Sequence, residues 1–367
     1  VDAKQQTGRG GALPSDRRRA AVTRADVAKL AGVSTAVVSY VVNDGPRPVA
    51  PATAARVREA MELLGYLPNA AARALRLGRT HTLGLVMGDS HNPYYAEYTS
   101  ELVKAAAASG WRLLIADSRE DDAVEAEVVE EFVARQVDAL LFASSAAAVT
   151  RSQALLTSRT PTVLIDCPGP IPGQRAVGSD AAGGAEMLVR HLIEHGRRRI
   201  GLVIGDHGFG DPDPRERGWR RALQSAGLSD GPIVRVPWTR QGGYAGLGAL
   251  LAEDPELDAV FASNDLHGVG VLRALHERGL AVPGDVAVVS FDGSVESEFC
   301  WPPLTVARQP IAALARAVID LLDTPETPEG VHIELPTELI RRQSCGCDGT
   351  AVDEPRVEVL TRPRRHE

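Results

Sequence analysis

No stretch of the 367 residues approaches the roughly 18 consecutive apolar positions that a membrane-spanning helix needs. The N-terminal segment has no apolar core of the kind a secretory leader carries, so a cytoplasmic protein is expected and no membrane partner. Cysteine is scarce: Cys167, Cys300, Cys345 and Cys347 form no C-x-x-C pair and call for no disulfide framework. Cys345-Gly-Cys347 lies near the chain end without matching partners and reads as inert rather than redox-active. The tail from Asp348 to Glu367 carries proline and charge but no leucine heptad, so no tetramerisation helix is expected there.

What is present is an uneven charge. Between Ser15 and Thr80 stand eleven lysines and arginines against five acidic residues, a surplus of six within a chain whose net charge is −8. The remainder therefore carries −14. A basic head on an acidic body suits one part that neutralises phosphates and another that stays off nucleic acid. Residues 1–21 show no apolar periodicity and read as a disordered basic arm.

The first ordered pattern is TRADVAKLAGVSTAVVSYVVN, from Thr23 to Asn43. Thr23 is an N-cap for a helix over Arg24 to Leu30, with Asp26 at the third position, and Gly32 ends it. Val33 plugs the core and Ser34 caps a second helix reaching about Val42. Small and apolar residues at Ala28, Gly32, Val38 and Val42 allow two short helices to cross tightly, which is a helix-turn-helix. Thr35, Ala36, Ser39 and Tyr40 are then left to face the major groove or its phosphates. A third helix is expected from Pro51 to Leu64, with Pro51 at its first position and an apolar stripe of Val57, Met61 and Leu64. The second pattern, GYLPNAAARALRLGRT from Gly65 to Thr80, puts Asn69 as the cap of a helix from Ala70 to Leu75. So short a helix is unstable alone, and the small face of Ala71 and Ala72 lets a symmetry mate approach closely.

DVAKLAGVS, VSYVVN, GYLPNAAARALRLGRT and TLGLVMGDSHNPYYAEY, in this order and spacing, resemble the lactose-repressor (LacI/GalR) family of bacterial regulators over nearly the whole chain. The resemblance implies a fold: an N-terminal all-α helix-turn-helix headpiece with a hinge helix, then a two-lobed α/β body like periplasmic binding proteins, with parallel sheets. It implies boundaries of 22–66 for the headpiece, 67–80 for the hinge, 81–347 for the effector-binding and dimerisation body and 348–367 for a flexible tail. It implies DNA contacts from Thr23, Arg24, Ser34, Thr35, Ala36, Ser39, Tyr40 and Asn43, and from Asn69, Ala72 and Leu75 in the hinge. In the family, paired hinge helices lie in the minor groove and the leucine matching Leu75 wedges between base steps. The chain departs from the family at Tyr40, where Arg often follows the serine, at Val37 in place of Thr, and at Ala50 in place of a capping Ser. Bidentate Arg–guanine readout is therefore not expected from the second helix.

After Thr82, short apolar strands alternate with helical patterns in two series: TLGLVM, RLLIA, DALLFA and TVLID, then RIGLVIG, PIVRV, DAVFAS and VAVVSFD. Intervening helices are expected near Tyr95–Ser109, Ala123–Ala134, Val149–Ser158, Ala181–His195, Arg215–Ala226, Gln241–Ala252 and Leu266–Arg278. Such alternation means parallel sheets covered on both faces, with the ligand beyond the strand C-ends between the lobes. Residues after about Ala307 are expected to cross back and complete both lobes.

Polar residues gather at those strand ends: Asn92, Tyr94, Tyr95, Asp166, Arg215, Asn264, Asp265 and Asp292. Among these, the resemblance assigns effector contact to Arg215 and Asp292, and places Tyr94, Tyr95 and Tyr244 where other members have contacts. His191 and His195 are four apart, a metal-compatible spacing, but no Glu follows His191 and no third ligand is obvious, so they read as a solvated helix face. No metal or cofactor is expected. Asp166, Asp265 and Asp292 come without a nucleophile elbow, a Walker loop or a Cys–His pattern, so no catalysis is expected. The function implied is a ligand-responsive, sequence-specific regulator of transcription. It would act as a homodimer on pseudopalindromic double-stranded operator DNA, a repressor first and an activator or dual regulator second. A small-molecule effector, a sugar or related metabolite, would control its hinge helix. A solute-binding receptor with the same body is disfavoured by the basic head and the missing leader.

Overall fold

The computed structural model describes residues 22–68 except 44 and 46, residue 74, and residues 78–348 except 120, 144–159, 168, 206–211 and 324–329. Compact packing divides the chain between Gly78 and Arg79.

The first unit is a three-helix headpiece: α1 (Arg24–Ala31), α2 (Thr35–Asn43) and α3 (Pro51–Leu64). Thr23 and Asp26 form the full reciprocal capping box. The Thr23 amide donates to the Asp26 carboxylate at 2.9 Å, and the Asp26 amide donates back to the Thr23 hydroxyl at 3.3 Å. Gly32 ends α1 in the left-handed conformation (φ 66°), and the Ser34 hydroxyl accepts from the Val37 amide at 3.3 Å. α1 and α2 meet at 104°, inside the helix-turn-helix range. Val27, Ala28, Ala31, Val38, Val57 and Ala60 form the buried core, with Val33, Val42, Leu64 and Tyr66 packed around it. Ala50 gives α3 no side-chain cap, as the departure from the family pattern implied.

The second unit carries two six-stranded sheets. In chain order its elements are β1 (Thr82–Met87), α4 (Pro93–Ala108), β2 (Arg112–Asp117), α5 (Asp122–Ala134), β3 (Ala139–Ala143), β4 (Thr162–Ile165) and β5 (Arg175–Ser179), then α6 (Ala181–Glu194), β6 (Ile200–Gly205), α7 (Pro214–Ser225) and β7 (Ile233–Val236). There follow α8 (Arg240–Glu253), β8 (Ala259–Ala262), α9 (Asp265–Glu277), β9 (Ala287–Asp292), α10 (Val295–Phe299), β10 (Thr305–Arg308), α11 (Ile311–Asp323), β11 (His332–Leu335) and β12 (Glu338–Ile340). The first sheet runs β11-β5-β4-β3-β1-β2 and the second β12-β10-β9-β8-β6-β7. Every pairing is parallel except β10 with β12. Strands such as β3, β6 and β9 are buried along their full length, because helices cover both faces of each sheet.

The chain crosses between lobes three times: from β5 into α6, from β10 into α11, and from β11 to β12. The expected return after Ala307 is therefore present, with α11 packing on α4 and β5 of the first lobe. The helix expected over Val149–Ser158 and the hinge helix from Ala70 to Leu75, with Asn69 and Ala72, lie outside the described residues except for Ala74. At the start of the body, Asp138 accepts from the Thr80 amide (3.0 Å), the Thr80 hydroxyl (2.8 Å) and the Thr82 amide (3.0 Å). Among the described residues no single helix is long and apolar enough to cross a membrane.

Candidate effector cleft and DNA-reading face

The strand C-ends of both lobes and the second crossover converge on one polar cluster. From the first lobe come Tyr94 and Tyr95, in the first turn of α4, and Asp166, directly after β4. Asn92 starts that helix by accepting from the Tyr94 amide at 3.1 Å, with Pro93 at the first helical position. The Tyr95 hydroxyl donates to Asp166 at 3.0 Å, and the Tyr94 hydroxyl lies 3.3 Å from Asp166 and 3.0 Å from Gln309 Oε1. Gln309, the first residue after β10, donates through Nε2 to Asp292 at 2.9 Å and accepts from the Ser179 hydroxyl at 2.6 Å. One amide thus joins Tyr94 of the first lobe to Asp292 of the second.

Arg215 completes the second-lobe wall. Its Nε and Nη2 both reach Asp213 at 3.0 Å, and its Nη1 donates to the Ser263 carbonyl at 3.1 Å. These three bonds leave two of the five guanidinium N–H groups for a ligand. The guanidinium lies 4.8 Å from the ring centre of Trp238 and 5.7 Å from that of Phe291. Trp238 is stacked on His267 at 5.5 Å. The ring fits only because Gly205 ends β6: a Cβ there would sit 1.8 Å from an indole carbon.

Burial pushes the Asp166 carboxyl above its ordinary value, against the pull of Arg215. Burial and the neighbouring Asp265 charge push Asp292 well above the usual carboxylate range. Tyr94 and Tyr95 are held up by burial and by Asp166, so their hydroxyls remain proton donors. Burial works against the Arg215 charge, but Asp213, Asp292 and Asp166 outweigh it and raise its pKa. Asp166 (φ 57°) and Asp292 (φ 104°) both stand in left-handed backbone, a strain on the order of 1–3 kcal/mol each that concentrates at functional sites.

Besides Asn92, which caps α4, three expected cleft residues have other employment. Tyr244 sits on the outer face of α8, partly exposed, where its hydroxyl donates to Glu277 at 2.6 Å; its helical position turns it away from the strand ends. Asn264 is buried and caps α9 by accepting from the His267 amide at 2.8 Å. Asp265 is buried and accepts from the Ser290 hydroxyl (2.6 Å), the Ser294 amide (2.7 Å) and the Ser294 hydroxyl (2.7 Å), so it fixes the loop carrying Asp292. Conversely, Gln309, Trp238 and Asp213 were not singled out in the sequence. Trp238 follows the strand PIVRV and was open to the same strand-end argument; Gln309 shows no local signal, because its partners Tyr94 and Ser179 belong to the other lobe.

Of the pair His191–His195, only His195 is solvated. His191 is buried, with Nε2 3.3 Å from Cys345 Sγ, and Cys347 Sγ lies 3.4 Å from each imidazole Nε2. The partners missing from the local sequence stand more than 150 residues downstream.

On the headpiece, Thr35 and Ala36 are exposed at the start of α2, and Ser39, Tyr40 and Asn43 are half-buried along it. Asn43 turns back on its own helix, donating to the Ser39 carbonyl at 2.9 Å. Tyr40 is packed by Gly45, where a Cβ would lie 2.6 Å from the ring. α2 carries no basic residue, while Thr23, Arg24, Ser34 and Arg47 are exposed around it.

A helix-turn-helix headpiece followed by a two-lobed body with a buried polar cleft defines a ligand-responsive DNA-binding protein. The model for bacterial regulatory proteins of the lacI family matches residues 23–69, and that for a periplasmic binding protein-like domain matches 189–345. The HTH-type transcriptional regulator GalR of Salmonella typhimurium is 34% identical over 325 residues, covering 87% of this chain and 94% of the relative. The HTH-type transcriptional regulator CelR of Thermobifida fusca is 36% identical over 340 residues, covering 89% and 99%. A solved transcriptional regulator CelR–cellobiose complex matches with a TM-score of 0.66 at 32% identity, covering 88% of this chain and 99% of that one. The chain belongs to the LacI family: it is a ligand-responsive, DNA-binding regulator of transcription.

Proposed function

We propose that this regulator represses transcription as a homodimer on a pseudopalindromic operator, and that a neutral saccharide in the cleft controls its hold on DNA. The observation carrying this reading is the cluster of Asp166, Arg215, Asp292, Tyr94 and Tyr95, which gathers hydrogen-bonding groups from both lobes. The only cation facing Asp166 and Asp292 there among the described residues, Arg215, is already matched by Asp213. An anionic ligand such as a phosphosugar would meet excess negative charge, whereas hydroxyls can both donate to and accept from these groups. A related regulator's solved complex with cellobiose points the same way.

The headpiece (22–66) reads the half-site with Thr35, Ala36, Ser39 and Tyr40, while Thr23, Arg24, Ser34 and Asn43 position it on the backbone. Without a basic residue on α2, methyl contacts and duplex shape carry more of the readout. The hinge (67–80) folds as a pair of helices at the operator centre, with Asn69 as cap, Ala72 at the helix pair and Leu75 as wedge. Ligand closing the lobes of the body (81–347) moves the two hinge segments relative to each other and so makes or melts them. Two groups of exposed apolar side chains suit self-association: Val103, Leu114 and Ile115 on the first lobe, and Val295, Phe299 and Trp301 on the second.

Gel-shift titrations on operator and on random DNA test the hinge. Leu75→Ala is expected to weaken operator binding far more than non-specific binding, and equal losses on both would sink the hinge assignment. A thermal-shift screen tests the ligand class: neutral sugars should raise the melting temperature and phosphosugars should not.

A further inference from the structure

His191, His195, Cys345 and Cys347 bring two imidazoles and two thiols together at one point on the second lobe, away from the effector cleft. The two histidines are one turn apart at the end of α6, so their rings lie on one helix face, with centroids 4.6 Å apart. The cysteines come from a short 3-10 turn, Gln343–Cys345, and the residue after Gly346. The left-handed Gly346 (φ 102°) reverses the chain so that Cys347 returns to the same point as Cys345. The turn is rigidly held. Ser344 donates to the Val288 carbonyl at 2.6 Å, and its hydroxyl accepts from the Thr305 amide at 2.8 Å.

The spacing is that of a coordination polyhedron. Tetrahedral zinc, with Zn–S of about 2.3 Å and Zn–N of about 2.0–2.1 Å, sets adjacent sulfur and nitrogen ligands roughly 3.5 Å apart. Three of the four sulfur–nitrogen separations here are 3.3, 3.4 and 3.4 Å, and all four ligand atoms lie within 4.8 Å of one another. The surroundings suit such a centre: the Thr305 hydroxyl lies 3.0 Å from Cys345 Sγ, and Glu194 lies 4.0 Å from the outward Nδ1 of His191. Thiols are weak donors, so a self-contained hydrogen-bonded cluster would satisfy these groups poorly, whereas a soft divalent cation satisfies all four.

We propose that these four residues bind one zinc ion in a closed Cys2His2 site that pins the segment after β12 to α6. Four protein ligands leave no open position, so the site is structural, and nothing in the effector cleft depends on it. Cys345 and His191 are buried, while Cys347 and His195 are open enough for the ion to enter.

The test uses the full chain without a polyhistidine tag, purified under reducing conditions and analysed for metal by mass spectrometry. One zinc per chain is expected, with most of it lost in Cys347→Ser and in His195→Ala, whose exposed ring can be removed without opening the core. Cobalt exchanged into the wild type should give a thiolate charge-transfer band and the intense visible absorption of a tetrahedral site, both diminished in the variants. Chelation should lower the wild-type melting temperature, and zinc should restore it for the wild type but not for Cys347→Ser. Three results would overturn the proposal: a reduced chain that takes up no zinc on titration, a Cys345–Cys347 disulfide that persists under reduction, or equal zinc in wild type and variants.

Discussion

Asp265 and His267, two residues apart at the start of α9, answer acid in opposite directions. Burial raises the Asp265 carboxyl from 3.8 to about 6, so it binds a proton more readily folded than unfolded. Its contribution to stability is full below 3.8 and is lost as the pH rises through about 6. Burial lowers His267 from 6.5 to about 4, so the unfolded imidazole protonates first. That contribution is full above 6.5 and is lost as the pH falls towards 4. In the wild type the two offset each other. Asp265→Asn removes one side and also relieves the charge that raises Asp292, so acidification from about pH 7 to pH 4 should cost the variant more stability than the wild type. Urea unfolding at a series of pH values measures this; parallel curves for the two proteins would refute it. In the cleft, Arg215→Lys keeps the charge but loses the fork on Asp213. Effector affinity by calorimetry should drop about tenfold or more, with ligand-free operator binding unchanged.

At the scale of elements, α3 begins without a side-chain cap, and Ala50→Ser supplies one. The substitution should stabilise the headpiece by about 1 kcal/mol, read as slower proteolysis of residues 22–66 and a higher temperature for loss of DNA binding. Elements of this kind were legible because their signals are local. Thr23 with Asp26, Gly32 after Leu30, and the apolar runs of β1, β3, β6 and β9 each declare themselves within a few residues. Elements that the sequence does not declare depend on long-range pairing. β5 (RAVGS) and β12 (ELI) are short and unremarkable as sequence, and only their neighbours in the sheets make them strands. The same holds for side chains. Asp166 and Asp292 are legible at strand ends and Arg215 through the family resemblance, whereas Tyr244 lies away from them on α8 because helical phase decides which wall it faces. The cysteine partners of His191 were invisible because a loop of more than 150 residues intervenes.

For the whole molecule, the exposed apolar groups matter most. Phe299 and Trp301 are 77% and 85% exposed in a single chain, large areas for a free surface to leave wet. On the homodimer proposed above, replacing Trp301 with Glu should give monomers by light scattering and reduce operator affinity far more than non-specific affinity, since a monomer would read one half-site. A Trp301→Glu protein that remains dimeric would remove this surface from the interface. The basic headpiece on an acidic body also makes non-specific DNA binding depend steeply on salt, because its affinity rests on neutralised phosphates.

The backbone at Asp292 limits how this regulator can change its ligand over evolutionary time. Its φ of 104° is followed by Gly293 at 73°, where a Cβ would lie 2.8 Å from the Arg308 backbone. Left-handed geometry costs an ordinary residue about 1–2 kcal/mol and a β-branched one more, so Asn and Gly are the substitutions open to position 292 while Val, Ile and Thr are closed. Tyr94, Tyr95 and Trp238 carry no such restriction. A lineage drifting to a new effector would therefore vary the aromatic wall more freely than position 292, leaving a narrow point around which the ligand repertoire turns.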